Sequence, residues 1–98
     1  MHGHSYRLEV TLRGPLRARG PARGMIEDFE RVERIVVDRV LTALDHQNLN
    51  ELIENPTVEN IVLWIWKRLD GALLRLDELV LWETATACAV LRRSDIAQ

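Results

Sequence analysis

The chain has 98 residues, with 13 Lys+Arg against 15 Asp+Glu, which is room for one small domain whose limited core oligomerisation would extend. A formal net charge of −2 excludes the broad positive field of a dedicated nucleic-acid binder and suits a small charged metabolite better. No apolar stretch reaches transmembrane length or follows a basic N-terminus as a signal peptide would, and the single cysteine, Cys88, has no partner for an internal disulfide; the expected location is the cytoplasm, with no membrane association.

His2-Gly3-His4 opens the chain and runs into an alternating segment. Tyr6, Leu8, Val10 and Leu12 fall on one face of a strand, and Ser5, Arg7, Glu9, Thr11 and Arg13 on the other. His2 and His4 share the parity of the apolar set, so both imidazoles belong to the protein-facing side. Two histidines two apart on one face have metal-ligand spacing, and zinc is the first candidate, although a catalytic zinc usually takes three protein ligands. A frayed, solvated terminus is the other reading.

Gly14 to Gly24 is rich in Gly, Pro and Arg and reads as a flexible loop. Arg17, Arg19 and Arg23 either meet a phosphate or keep that loop solvated. Met25 to Phe29 reads as a short extended piece. From Phe29 the apolar period becomes helical, through Val32, Val36, Val40 and Leu44, with Ile35, Val37 and Leu41 widening the stripe and Asp28 placed to cap it.

The helix is expected to end near Leu44 in the polar run Asp45-His46-Gln47-Asn48-Leu49-Asn50. Asp45 and His46 can form an acid/base pair, the carboxylate fixing the tautomer and raising the basicity of the imidazole, or they are an ordinary polar helix end. A second helix starts at Asn55-Pro56-Thr57, capped by Asn55 or by Thr57. Ile61, Val62, Ile65, Trp66, Leu69 and Leu73 form its buried stripe; Asn60, Lys67, Arg68 and Asp70 face water, and Gly71 weakens the last turns.

Leu79 to Thr84 and Ala87 to Arg92 read as a hairpin joined at Ala85 and Thr86. The near-continuous apolar run of the first strand suggests burial on both faces, with a neighbouring subunit as the outer cover. Cys88 reads as a small core residue. Glu83 ends the apolar strand on the face of Leu79 and Leu81; a carboxylate there is either paired structurally or receives a ligand, and two N–H donors on the edge of a guanidine-like ring suit it. The element order is α+β, an antiparallel sheet covered on one face by two helices.

Taken in order, HGHSYRLEV, GMIEDF, LDHQNLN, NPTVENI and WETATACAV resemble the 6-pyruvoyl-tetrahydropterin synthase and 6-carboxytetrahydropterin synthase family along the whole chain. The resemblance implies the tunnelling fold, a single domain over residues 1–98, and homo-oligomers, trimers that pair into hexamers. It implies a zinc ion (Zn2+) held by His2 and His4, a proton relay containing Asp45 and His46, and a pterin anchor at Glu83 with Thr84 beside it. The implied reaction is elimination of triphosphate from 7,8-dihydroneopterin triphosphate with rearrangement or cleavage of its side chain, in pterin or queuosine biosynthesis. The family pattern also has a first strand carrying a third zinc histidine and then a cysteine, which would precede Met1, and Cys88 does not match that cysteine. Two expectations follow: a lyase whose frame extends upstream, or a non-catalytic pterin-binding homologue with an incomplete zinc site.

Overall fold

A computed structural model describes residues 6–21, 23–44 and 49–96. The first strand, β1 (Arg7–Leu12), alternates as expected, with Arg7, Glu9 and Thr11 exposed and Leu8, Val10 and Leu12 half-buried. It pairs antiparallel with β2 (Leu76–Trp82), and β2 pairs antiparallel with β3 (Cys88–Arg92), giving the order β1-β2-β3. The result is the expected α+β architecture, consistent with a tunnelling fold.

Between β1 and β2 lies the helical layer. Residues 29–44 form one unbroken helical run made of α1 (Phe29–Val36), a π-helical segment (Val37–Leu41) and a final turn, α2 (Thr42–Leu44). Asp28 caps it as its position predicts, its carboxylate accepting the Glu30 N–H at 3.1 Å. The one-turn helix α3 (Leu49–Leu52) follows, where the sequence suggested only a polar connection.

The longer helix α4 (Val58–Leu69) settles the choice of cap in favour of Thr57, whose hydroxyl accepts the Asn60 N–H at 3.2 Å. Asn55 sits before it at a φ of 53°, and its carbonyl accepts both the Thr57 N–H and the Asn60 side-chain amide. Asn is among the few non-glycine residues that tolerate this left-handed conformation. Helix α4 ends at Leu69, so Gly71 falls in a turn, and Leu73 is buried from outside the helix, its N–H returning to the Leu69 carbonyl.

Helix α4 supplies much of the core. Ile61, Val62, Ile65, Trp66 and Leu69 are buried against Leu73, Leu76, Leu79, Leu81 and Ala89, with Val40 and Ile53 closing one side. Each large apolar side chain removed from water in this way contributes about 1.5–3 kcal/mol. Arg93 of the 3-10 turn Arg93–Asp95 fastens the end of the layer, donating to the Leu76 carbonyl, pairing with Asp70 at 2.6 Å and lying over the Trp66 ring.

Four expectations change. Met25 to Phe29 is not extended: the segment bends, and the preceding loop folds back so that the Arg17 N–H reaches the Met25 carbonyl and the Gly24 N–H the Arg17 carbonyl. Gly20 and Gly24, both at φ 84°, make that reversal possible. Phe29 begins the helix before it meets the core and is 81% exposed. The hairpin connection is longer than two residues, because β2 stops at Trp82 and β3 starts at Cys88. Finally, Cys88 is exposed, since it shares the outer parity of Val90 and Arg92 while Ala89 and Leu91 point to the helices.

The outer sheet face is thus mixed rather than fully apolar. Val80 is covered there, yet Val90 remains 42% exposed. Arg7 lies over the Trp82 ring, Glu9 pairs with Arg7 at 3.2 Å and Trp82 donates its indole N–H to Glu9. This cluster covers one end of that face within the chain itself.

Glu27 ties the loop to α1. Its carboxylate accepts from Arg17 and pairs with Arg31 at 3.1 Å. Burial pulls this carboxyl up, but the Asp28 N–H and the Arg17 and Arg31 guanidinium groups outweigh it and hold the group below its ordinary value. A lowered folded-state pKa contributes stability above the ordinary carboxylate range, and that contribution is lost as pH falls through the lowered value. Glu27→Gln is therefore expected to lower the unfolding midpoint at neutral pH and to flatten the acid limb of midpoint against pH; denaturant titrations of both proteins across the carboxylate range check this.

Candidate active site

The register of β1 against β2 builds the site. Arg7 faces Trp82 and Leu8 faces Leu81, so one further step sets Tyr6 against Glu83 on the helix-facing side. Both residues lie just beyond the strand ends and are half-buried. Burial first, and then the negative charge of Glu83, push the Tyr6 phenol above its ordinary pKa, so it remains protonated at neutral pH. A neutral phenol and a carboxylate thus stand at the same end of the sheet.

Glu83 belongs to the connection between β2 and β3. Its N–H donates to the Ala87 carbonyl at 2.9 Å, as does that of Thr84 at 3.3 Å. The Thr84 hydroxyl accepts the N–H groups of Thr86 and Ala87, at 3.3 and 3.0 Å. Thr84 thus holds the five-residue turn 83–87 in shape, which fixes where the Glu83 carboxylate leaves the backbone.

Beside this pair, between β1 and the helices, lies an apolar cavity of about 390 Å³, within the roughly 300–1,000 Å³ of small-molecule sites. Tyr6 and Leu81 line it from the sheet, Val40 and Leu41 from the π-helical segment, and Leu44 and Leu49 from α2 and α3. Leu44 and Leu49 are the described residues that bracket Asp45 and His46, and Tyr6 is the first described residue after His2 and His4. His2, His4, Asp45 and His46 themselves lie outside the described residues. The cavity therefore joins the chain positions flanking both of those motifs, and through Tyr6 it adjoins Glu83.

Among the described residues no group of three His, Cys, Asp or Glu is placed to hold a metal ion. His2 and His4 together offer two imidazoles, a donor set suited to zinc. Arg17, Arg19 and Arg23 belong to the other end of the sheet: they follow Leu12, and β1 is five residue steps long, roughly 17 Å at the usual strand rise. Arg17 is also engaged by Glu27. Within one chain these arginines do not reach the Glu83 end. Also among the described residues, no helix is long and apolar enough to cross a membrane.

Tyr6 is the site residue that sequence reasoning missed. A tyrosine on an apolar strand face reads as core, and its opposition to Glu83 exists only once β1 and β2 are paired in register.

With this geometry in place, comparison with known proteins is informative. Over 86 residues the chain is 42% identical to the dihydroneopterin monophosphate aldolase of Pyrococcus furiosus, covering 85% of this chain and 70% of that protein. It is 37% identical to a putative 6-carboxy-5,6,7,8-tetrahydropterin synthase of Archaeoglobus fulgidus, over 95% of this chain and 76% of that protein. It is 34% identical to the 6-carboxy-5,6,7,8-tetrahydropterin synthase of Synechocystis, over 91% and 72% respectively. The sequence profile of the 6-pyruvoyl tetrahydropterin synthase family matches residues 1–94, and the chain belongs to that family.

Proposed function

We propose that the chain is a zinc-dependent lyase acting on the side chain of a phosphorylated dihydropterin, with 7,8-dihydroneopterin triphosphate as substrate and a 6-carboxytetrahydropterin or 6-pyruvoyltetrahydropterin as product. The observation that carries this reading is the cavity whose lining adjoins Glu83 and brackets Asp45 and His46. The two relatives named as 6-carboxytetrahydropterin synthases, aligned over most of the chain, favour the carboxy product and a place in queuosine biosynthesis.

In this reading Glu83 accepts two N–H groups from the guanidine-like edge of the pterin ring, a charge-assisted pairing that fixes ring orientation. The apolar cavity wall excludes water from one side of the bound ring. His46 removes and returns a proton at the substrate side chain, while Asp45 holds the imidazole in the required tautomer and raises its basicity. A zinc ion held by His2, His4 and further ligands would polarise the side-chain oxygens. Of the family pattern's zinc ligands His2 and His4 are matched here, while its third histidine and its relay cysteine have no match among these 98 residues.

A second reading has its own support. The Pyrococcus furiosus relative, at 42% identity, is named as an aldolase of the monophosphate, a reaction that cleaves the side chain without expelling triphosphate. Both readings are tested by incubating the purified protein, with its metal content measured, separately with dihydroneopterin triphosphate and dihydroneopterin monophosphate. Triphosphate release with about one zinc per chain supports the first; turnover of the monophosphate alone supports the aldolase. Pterin binding with neither reaction, at full zinc content, leaves a non-catalytic pterin-binding homologue.

A further inference from the structure

At the loop end of the sheet the pairing of β1 with β2 continues one step beyond the strands. Leu12 pairs with Leu76, and next to it the Arg13 N–H donates to the Arg75 carbonyl at 2.9 Å, so two arginines stand opposite each other on adjoining strands. Like charges in that position repel and weaken the pairing unless an opposite charge lies between them. No carboxylate does so here: neither guanidinium makes an ion pair among the described residues. Asp77, the nearest acid to Arg75 along the chain, has no partner across the bulge at Thr11 and Leu12, and it makes no ion pair either.

The Arg75 side chain has a defined seat. It crosses Gly14 so closely that a Cβ added there would stand 2.8 Å from the Arg75 Cδ and 3.1 Å from its Nε; a glycine lets the guanidinium settle against the backbone. From Gly14 the loop leaves and returns, closed by the backbone bonds between Arg17 and Met25 and between Gly24 and Arg17, with a turn from Gly20 to Arg23 at its tip. Residues 13–24 hold four arginines and no acidic residue. Arg17 is neutralised by Glu27. Arg13, Arg19 and Arg23 are exposed and make no ion pair among the described residues, so a chain of net charge −2 concentrates uncompensated guanidinium at this end.

We propose that Arg13 and Arg75, with Arg19 and Arg23 in the adjoining loop, form a binding site for an oligophosphate. Guanidinium groups pair bidentately with phosphate oxygens, and a chain of phosphates carries enough charge and enough oxygens to serve several arginines at once. The cluster is too small, and the chain too acidic, for a nucleic-acid surface. The Glu83 end of the same chain is the length of β1 away. The phosphates therefore arrive either as free triphosphate or on a substrate seated on another copy of the chain, and only the second source rests on the proposed reaction.

Isothermal titration of the full chain with inorganic triphosphate tests the site without requiring turnover. Binding is expected, weakening as salt rises. Kd should increase about tenfold in Arg13→Gln and in Arg75→Gln, the low end for hydrogen bonds to a charged group because both side chains are exposed. Arg19→Gln combined with Arg23→Gln should weaken binding as well, and Gly14→Ala should do so with every charge retained, by displacing Arg75. Arg39→Gln removes an exposed arginine from the helical layer and should leave Kd unchanged. No binding by the unaltered protein, an equal loss in Arg39→Gln, or tighter binding of a single-stranded oligonucleotide than of triphosphate would overturn the site. Competition identifies the source: triphosphate that displaces dihydroneopterin triphosphate but not dihydroneopterin marks the substrate's phosphates, whereas triphosphate that binds together with both marks the free anion. A protein that binds triphosphate in this pattern yet turns over neither pterin keeps the site and loses only the proposed reaction.

Discussion

Glu83→Ala is expected to abolish measurable pterin binding. A carboxylate that accepts two N–H groups makes two charge-assisted hydrogen bonds, each worth about 1.5–3 kcal/mol, so removing both raises Kd by roughly 10²–10⁴-fold. The structure gives Glu83 no competing cation to release: no ion pair to it occurs among the described residues, and its backbone is held by the Ala87 carbonyl and the Thr84-organised turn. The variant should therefore lose the ligand without losing the fold. Isothermal titration with a dihydropterin measures the first effect. Tyr6 reports the second, because it is the single tyrosine in the chain and the Glu83 charge contributes to its raised pKa. In Glu83→Ala the phenolate absorbance should appear at lower pH than in the parent. A Kd unchanged within threefold would exclude Glu83 as the anchor.

His46→Ala should do the opposite in kinetic terms. General acid–base catalysis by a positioned imidazole is worth roughly 10²–10⁴-fold, so kcat is expected to fall by that factor while KM stays close to the parent value. A residue used only in the transition state lowers kcat and kcat/KM together. Asp45→Asn should reduce kcat less, since an amide retains part of the orienting hydrogen bond but not the charge that favours the imidazolium. Steady-state kinetics across pH separate the cases: loss of one limb of the profile in His46→Ala marks the proton-transfer group, whereas parallel losses of affinity in His46→Ala and Glu83→Ala would contradict the division of roles.

The readings that succeeded rest on local physics. Strict alternation from Tyr6 to Leu12 needs no tertiary knowledge to become β1, and Asp28 and Thr57 cap their helices because an Asp or Thr before an apolar periodic run has few better uses. The misreadings have equally definite causes. The continuous run Leu79-Val80-Leu81-Trp82 hides its own parity, and with it the parity of β3, so the sequence reads Cys88 as core although it is exposed. Phe29 has the right period but lies where the helix has not yet met the sheet. The π-helical turn had no signal in Val37-Asp38-Arg39-Val40-Leu41, and the side chain that bonds its Arg39 carbonyl, Arg68, lies 29 positions away. Tyr6 opposite Glu83 is invisible for the same reason, being a product of strand register.

The pairing of β1 with β2 also fixes an order of assembly. Closing β3 onto β2 joins Trp82 to Cys88 across six residues, whereas closing β1 onto β2 joins Arg7 to Trp82 across 75. With loop-closure entropy growing as (3/2)RT ln n, the longer closure costs about 2 kcal/mol more. The β2–β3 hairpin and its packing on α4 can therefore form early, while β1, half-buried at the sheet edge, joins late and leaves first on partial unfolding. Since β1 carries Tyr6 to Glu83, that end of the sheet is completed only when β1 docks, and a ligand that bridges the two strands should slow unfolding more than it speeds folding.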